Sequence, residues 1–240
     1  MARLGALVAL LMVLTGCQVK LTVDTKVNAN GSGTVAVGVG LDDEALAKAG
    51  DLSSQLRVDD LRASGWTVTG PTKEGDGYTW VRASKPFNDA AGATAVLDEV
   101  NGASGAFGGW KVSHGSSLLS DSYSVKGNID LTSGMAAFTD PGLASALGGD
   151  PFGGAVAAIE QQQGRPVADM VDVRVTVQVP GGSRTYTPSL ADAHPTAVHV
   201  ASSNVTPSAM VLLTVAVLGL IVAGLVMVRR RSTRRRRIMR

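Results

Sequence analysis

Cys17 is the only cysteine of the chain and carries its clearest chemistry. It closes the run Leu14-Thr15-Gly16-Cys17, which matches the bacterial lipobox, in which the cysteine receives a diacylglyceryl group and becomes the new N-terminus. Lipid attachment needs a thiol nucleophile, and the signal peptidase needs small residues beside the bond that it cuts. A lone cysteine also excludes an intramolecular disulfide. The motif therefore predicts acylation of Cys17, with palmitate as the expected fatty acid.

The residues before Cys17 are typical of a secretory signal. Arg3 supplies a positive start, and the apolar run from Leu4 to Leu14 is too short to span a bilayer comfortably. We therefore predict a lipoprotein signal peptide over residues 1–16. An ordinary secretory signal that happens to contain a cysteine is the alternative interpretation.

A second anchor is predicted near the other end of the chain. Residues 209–228 carry no charge, and 20 such residues match the ~30 Å of hydrocarbon that a transmembrane helix must cross. The basic residues that follow are Arg229, Arg230, Arg231, Arg234, Arg235, Arg236 and Arg237. By the positive-inside rule they place the tail, residues 229–240, at the cytoplasmic membrane surface. They act as a topology signal alone or also attract anionic lipid.

The charge between the two anchors is acidic. From Gln18 to Ser208 the chain has 13 basic and 20 acidic residues, a net charge of −7, so the basic isoelectric point belongs to the tail. An acidic domain repels polyphosphate, and we expect no nucleic-acid partner. The sequence contains no zinc motif, nucleophile elbow or phosphate-binding loop, so no catalytic residue, metal or cofactor is assigned and the chain is interpreted as a non-enzyme.

The exported part, residues 17–187, alternates between strand and helix signals. Residues 19–27 and 35–39 alternate with a period of two around a turn at Asn28-Ala29-Asn30-Gly31, which predicts a β-hairpin. Similar pairs are predicted around Asp76-Gly77, between Trp110 and Leu131, and from Met170 to Thr187. Helices are predicted for about 42–64 and 88–100. The fold class is α+β with a largely antiparallel sheet and two or three helices, followed by a linker at residues 188–208.

One long segment breaks this pattern. Residues 134–166 are rich in Gly, Ala and Pro, and a structureless loop of that length is often a binding loop or lid. Its apolar residues are Met135, Phe138, Leu143, Leu147, Phe152, Val156 and Ile159. They form either a mobile lid over an apolar cavity or a short helix and loop packed as ordinary core.

The whole layout resembles the actinobacterial LppM-like lipoproteins. The resemblance rests on the lipobox, on Gln18-Val19-Lys20-Leu21 opening the domain, and on residues 209–240 closing the chain. It implies a cell-envelope protein whose exported domain contacts lipids or glycolipids, and it brings no catalytic residues. We expect membrane lipids as partners, with an envelope glycolipid or an envelope protein as a further one. A non-enzymatic scaffold that recruits envelope proteins is the alternative function.

Overall fold

The computed structural model describes residues 18–49, 58–101, 105–138, 153–206 and 208–218. The strands in chain order are β1 (Val19–Val27), β2 (Gly33–Leu41), β3 (Thr67–Lys73), β4 (Thr79–Phe87), β5 (Phe107–Ser116), β6 (Ser120–Ile129), β7 (Val171–Val179), β8 (Gly182–Tyr186) and β9 (Thr196–Val205). The α-helices are α1 (Asp43–Ala49), α2 (Val58–Ala63), α3 (Ala90–Asn101), α4 (Gly153–Gln163) and α5 (208–218), and 3₁₀ helices cover Gly134–Phe138 and Val167–Asp169. The α+β class is confirmed.

The chain divides into two compact units. Unit 1 contains the described residues up to 114 together with 123–202. Unit 2 contains residues 115–122, which include the turn between β5 and β6, and the described residues from 203 to 218.

A six-stranded sheet with the order β3-β4-β2-β1-β7-β8 is the framework of unit 1. The predicted hairpins β1–β2, β3–β4 and β7–β8 are confirmed, and all three are antiparallel. β1 also pairs with β7, and this pair is parallel, with Val19 beside Val171. A second sheet has the order β5-β6-β9.

Valine alternation explains why the central strands lie where they do. Val173, Val175, Val177 and Val179 of β7 are buried, and the residues between them are half-buried or exposed. Each fully buried valine stabilises the fold by ~1.5–3 kcal/mol relative to an exposed one. The buried face of the sheet packs with α3 and with the aromatic residues of β5 and β6 in one core.

The helices differ from their predicted bounds in ways that hydrogen bonds explain. The predicted helix at 42–64 contains α1 and α2, with 50–57 outside the described residues. Asp42 caps α1, because its carboxylate accepts a hydrogen bond of 2.7 Å from the N–H of Ala45. Asp89 caps α3 in the same way, because its carboxylate accepts a hydrogen bond of 2.7 Å from the N–H of Gly92, and the helix begins at Ala90 and not at the predicted residue 88. Apart from α5, which lies in the separately predicted C-terminal segment, the described residues contain four α-helices where two or three were expected.

The predicted linker contains regular structure. Within residues 188–208 the chain forms β9, and the side chains of Val198 and Val200 are buried in the core. Tyr186 supports this strand, since its hydroxyl donates a hydrogen bond of 3.0 Å to the carbonyl oxygen of His199. Packing of these two valines on the core thus accompanies a strand where the composition predicts a linker.

α5 is the described beginning of the apolar segment that starts at residue 209. Among the residues that the structure describes, none of the helices has the length and apolar character needed to cross a membrane.

Candidate functional site

An apolar cavity of about 300 Å³ lies within unit 1, on one face of β1 and β2. Leu21 and Val23 of β1 form part of its floor, and they lie directly opposite Val39 and Val37 of β2 in the strand register. Because side chains alternate along a strand, these four point to the same face of the sheet. The strand pattern of the sequence thus builds a continuous aliphatic floor.

Other elements supply the walls. Trp66, which immediately precedes β3, Val100 at the end of α3 and Phe107 of β5 line the cavity, together with Leu61 of α2. Phe138, at the end of a 3₁₀ helix, also lines it, and its ring lies 6.4 Å from that of Phe107. The volume is at the lower end of the ~300–1,000 Å³ usual for ligand pockets. Aliphatic and aromatic walls of this kind suit an apolar ligand.

A charged group lies at the edge of these apolar walls. Glu99 of α3 lines the cavity and accepts a hydrogen bond of 3.2 Å from the indole N–H of Trp66. The same carboxylate accepts hydrogen bonds of 2.7 and 2.8 Å from Lys85 of β4, which also donates to the carbonyl oxygen of Ser64 at 2.8 Å. The site therefore joins an apolar interior to a hydrogen-bonded, polar rim.

The structure places part of the predicted lid at this cavity. Phe138 lines it, and Met135 packs against the same core from the same 3₁₀ helix. Val156 and Ile159 lie on α4, where Val156 is half-buried and Ile159 is 38% exposed. The other three lid residues, Leu143, Leu147 and Phe152, lie outside the described residues, as do Cys17 and the arginines of the tail.

The opposite face of the same strands carries a polar pocket of about 290 Å³. Its basic side chains, Lys20, Arg82 and Arg174, each form an ion pair with a carboxylate. Glu74 accepts two hydrogen bonds from Arg82 and thereby raises the pKa of that guanidinium. Partial desolvation by itself would raise the pKa of Asp76. The hydrogen bonds that Asp76 accepts from the N–H of Tyr78, from Trp80 and from Lys20 outweigh this effect, so the pKa of Asp76 is lowered. Because its lining is charged and ion-paired, this face of the sheet is not a candidate site for an apolar ligand.

Trp66 and Glu99 line the cavity but were not identified as site residues from the sequence. Trp66 and Glu99 are 33 positions apart in the chain, so no local period relates them. One sequence signal could have indicated Glu99: it lies one residue before Val100, at the end of a helix that carries apolar residues. Only the folded chain brings that helix end beside the tryptophan. In the described residues no group of three or more His, Cys, Asp or Glu side chains is arranged to hold a metal ion.

Comparison with known proteins gives one distant structural likeness. No protein-family model and no curated protein sequence matches the chain. The chain is similar to the NMR structure of the folded domain of LppM from Mycobacterium tuberculosis, with a TM-score of 0.40 and 11% identity, over 80% of this chain and 93% of that one. A likeness of this size carries no functional information.

Proposed function

We propose that this protein is a membrane-anchored envelope lipoprotein whose exported domain binds the apolar part of a lipid or lipoglycan. The observation that carries this proposal is the apolar cavity of unit 1 with Glu99 and Lys85 at its rim. An acyl chain would occupy the aliphatic and aromatic interior, and the polar head of the lipid would lie near the two charged side chains. The domain acts as a binding module and performs no chemistry on the ligand.

The proposed anchors support this function because they hold the cavity at a lipid surface. A lipid on Cys17 and a helix over residues 209–228 would place residues 18–206 outside the cytoplasm and residues 229–240 within it. A binding module that is tethered beside a bilayer meets its ligand at high local concentration.

The decisive experiment is native mass spectrometry of residues 18–206 exported from an actinobacterial host, followed by lipid extraction. We expect a retained lipid of defined mass. Val37→Trp should abolish its retention, because the added indole would fill the cavity that Val37 lines. Ala36→Trp is the matched control: it adds the same ring to the same strand, on the opposite face of the sheet.

A second measurement uses Trp66 as a built-in reporter. Because Trp66 lines the cavity, its emission should move to shorter wavelength as lipid enters, and Trp66→Phe should remove this change. A protein that stays free of lipid in both experiments would contradict the proposal. That result would favour the alternative function, in which the acidic exported domain is a scaffold for envelope proteins, and crosslinking would then identify the partner.

A further inference from the structure

The turn between β5 and β6 exposes two leucines side by side. Leu118 is 77% exposed and Leu119 is 62% exposed, and both belong to unit 2. The hairpin tip, residues 115–122, consists of this turn and the adjoining strand ends, and its sequence Gly-Ser-Ser-Leu-Leu-Ser-Asp-Ser contains one charged residue, Asp121. Adjacent leucines at the tip of a hairpin place apolar surface in water with no benefit to the fold.

Several polar backbone groups of this tip are hydrogen-bonded within unit 2. The N–H and the hydroxyl of Ser117 both donate to the carbonyl oxygen of Ser120, at 2.9 and 2.8 Å. The N–H of Ser120 donates in return to the hydroxyl oxygen of Ser117 at 3.0 Å. The carbonyl oxygen of Leu119 accepts a hydrogen bond of 3.1 Å from the N–H of Thr206. Moving a backbone polar group from water into a bilayer costs free energy mainly when the group has no hydrogen-bond partner. The groups that are bonded within the tip therefore enter lipid at little cost.

Thr206 joins the tip to the first turn of α5. Its buried hydroxyl donates a hydrogen bond of 2.7 Å to the carbonyl oxygen of Leu118 and accepts one of 3.3 Å from the N–H of Ala209. The hydroxyl of Ser208 also lies 3.3 Å from the same carbonyl oxygen of Leu118. The exposed leucines are therefore fixed at the point where the apolar helix begins.

We infer that Leu118 and Leu119 enter the outer leaflet of the bilayer and form a second membrane contact beside the anchoring helix. This inference rests on the membrane anchoring given under the proposed function. The described part of α5 exposes further apolar side chains, namely Met210, Val211, Leu212, Leu213, Val215, Val217 and Leu218. The sequence continues without a charge to Val228. Thr206 bonds the hairpin tip to the first turn of this helix, so a bilayer that surrounds the start of the helix also surrounds the tip.

Depth-dependent fluorescence quenching tests this contact in the full chain. Leu119→Trp is placed in a Trp66→Phe background, so that lipid in the cavity makes no contribution, and the other two tryptophans, Trp80 and Trp110, are buried. The protein is reconstituted into phosphatidylcholine–phosphatidylglycerol vesicles that contain brominated phosphatidylcholine. Because interfacial groups lie ~5–10 Å into the headgroup–acyl boundary, we expect a roughly twofold loss of the added emission, larger with bromine near the glycerol than near the chain ends.

Two control variants make the result decisive. Val215→Trp reports insertion of α5, and Gly75→Trp places the ring on the turn between β3 and β4, where a side chain meets nothing within 4 Å. Strong quenching of Val215→Trp, with Leu119→Trp quenched no more than Gly75→Trp, would overturn the tip contact while leaving the anchor intact. Absence of quenching at Val215→Trp would overturn the anchor and the tip contact together. Neither result depends on lipid in the cavity.

The role of Thr206 is tested in the same assay. Thr206→Val removes the hydroxyl that bonds Leu118, and we expect it to reduce the quenching of Leu119→Trp while Val215→Trp stays quenched. Thr206→Ser retains a hydroxyl and should restore the quenching. Equal quenching in the valine and serine variants would show that Thr206 does not position the tip.

Discussion

Glu99 accepts hydrogen bonds from two different donors at the cavity rim, the buried indole of Trp66 and the ammonium group of Lys85. In Glu99→Ala the indole N–H loses its acceptor, and we expect the free energy of unfolding to fall by about 1–2 kcal/mol. Glu99→Gln keeps an acceptor for the indole and should lose less. Urea denaturation of the two variants measures the difference, and equal losses would contradict this role for the indole bond.

Gly40 shows how closely one side chain covers a central strand. A Cβ atom added at Gly40 would lie 2.8–2.9 Å from three atoms of the Trp80 ring, which is buried over this part of β2. We therefore expect Gly40→Ala to destabilise the domain by about 1–3 kcal/mol, as overpacking does. Gly75→Ala is the control, since no atom lies within 4 Å, and it should stay within ~0.5 kcal/mol of the parent chain in thermal or urea unfolding.

Single residues were predictable from the sequence where a local period places them. The alternation in β1 and β7 identifies their buried faces, and Leu21 and Val23 lie on the face that the pattern predicts. The contact between Trp66 and Glu99 could not be predicted, because it depends on how α3 lies against the sheet. A carboxylate at a helix end has the same appearance in a sequence whether it faces water or a cavity.

The lid hypothesis can be tested at the 3₁₀ helix Gly134–Phe138. Phe138 lines the cavity, whereas Ile159 of α4 does not, although the sequence predicts both as lid residues. We expect Phe138→Ala to reduce lipid retention in native mass spectrometry, because it removes an aromatic wall. Ile159→Ala should leave retention close to that of the parent chain. An equal loss in both variants would instead support a lid that includes α4.

Elements were predictable where turn chemistry marks their ends. The Asn-Gly and Asp-Gly turns predict the first two hairpins correctly, because both turns require residues that tolerate a positive φ, as Gly31 and Gly77 show at 82° and 87°. β9 was missed because Pro, Ala and Ser residues around it have the composition of a linker. Its strand state comes from packing of Val198 and Val200 on the core, which no local signal reports.

For the whole molecule, the proposal predicts two independent tethers. Cys17→Ser should remove the acyl mass and still leave the protein in the membrane fraction, because residues 209–228 would hold it. A chain that ends at residue 206 should also remain membrane-bound through its lipid. Only the combination of both changes should release the domain, as measured by ultracentrifugation and immunoblotting. Release by either change alone would contradict the double anchor.

The parallel pairing of β1 with β7 governs when this domain can be completed during its synthesis. Val19 pairs with Val171, and β1 lies between β2 and β7 in the sheet. Contacts between residues so distant in sequence form slowly, and until β7 emerges one edge of β1 keeps its backbone donors and acceptors unpaired. The strand that follows Cys17 is thus among the first parts of this domain to be made, and its pairing depends on residues more than 140 positions later in the chain.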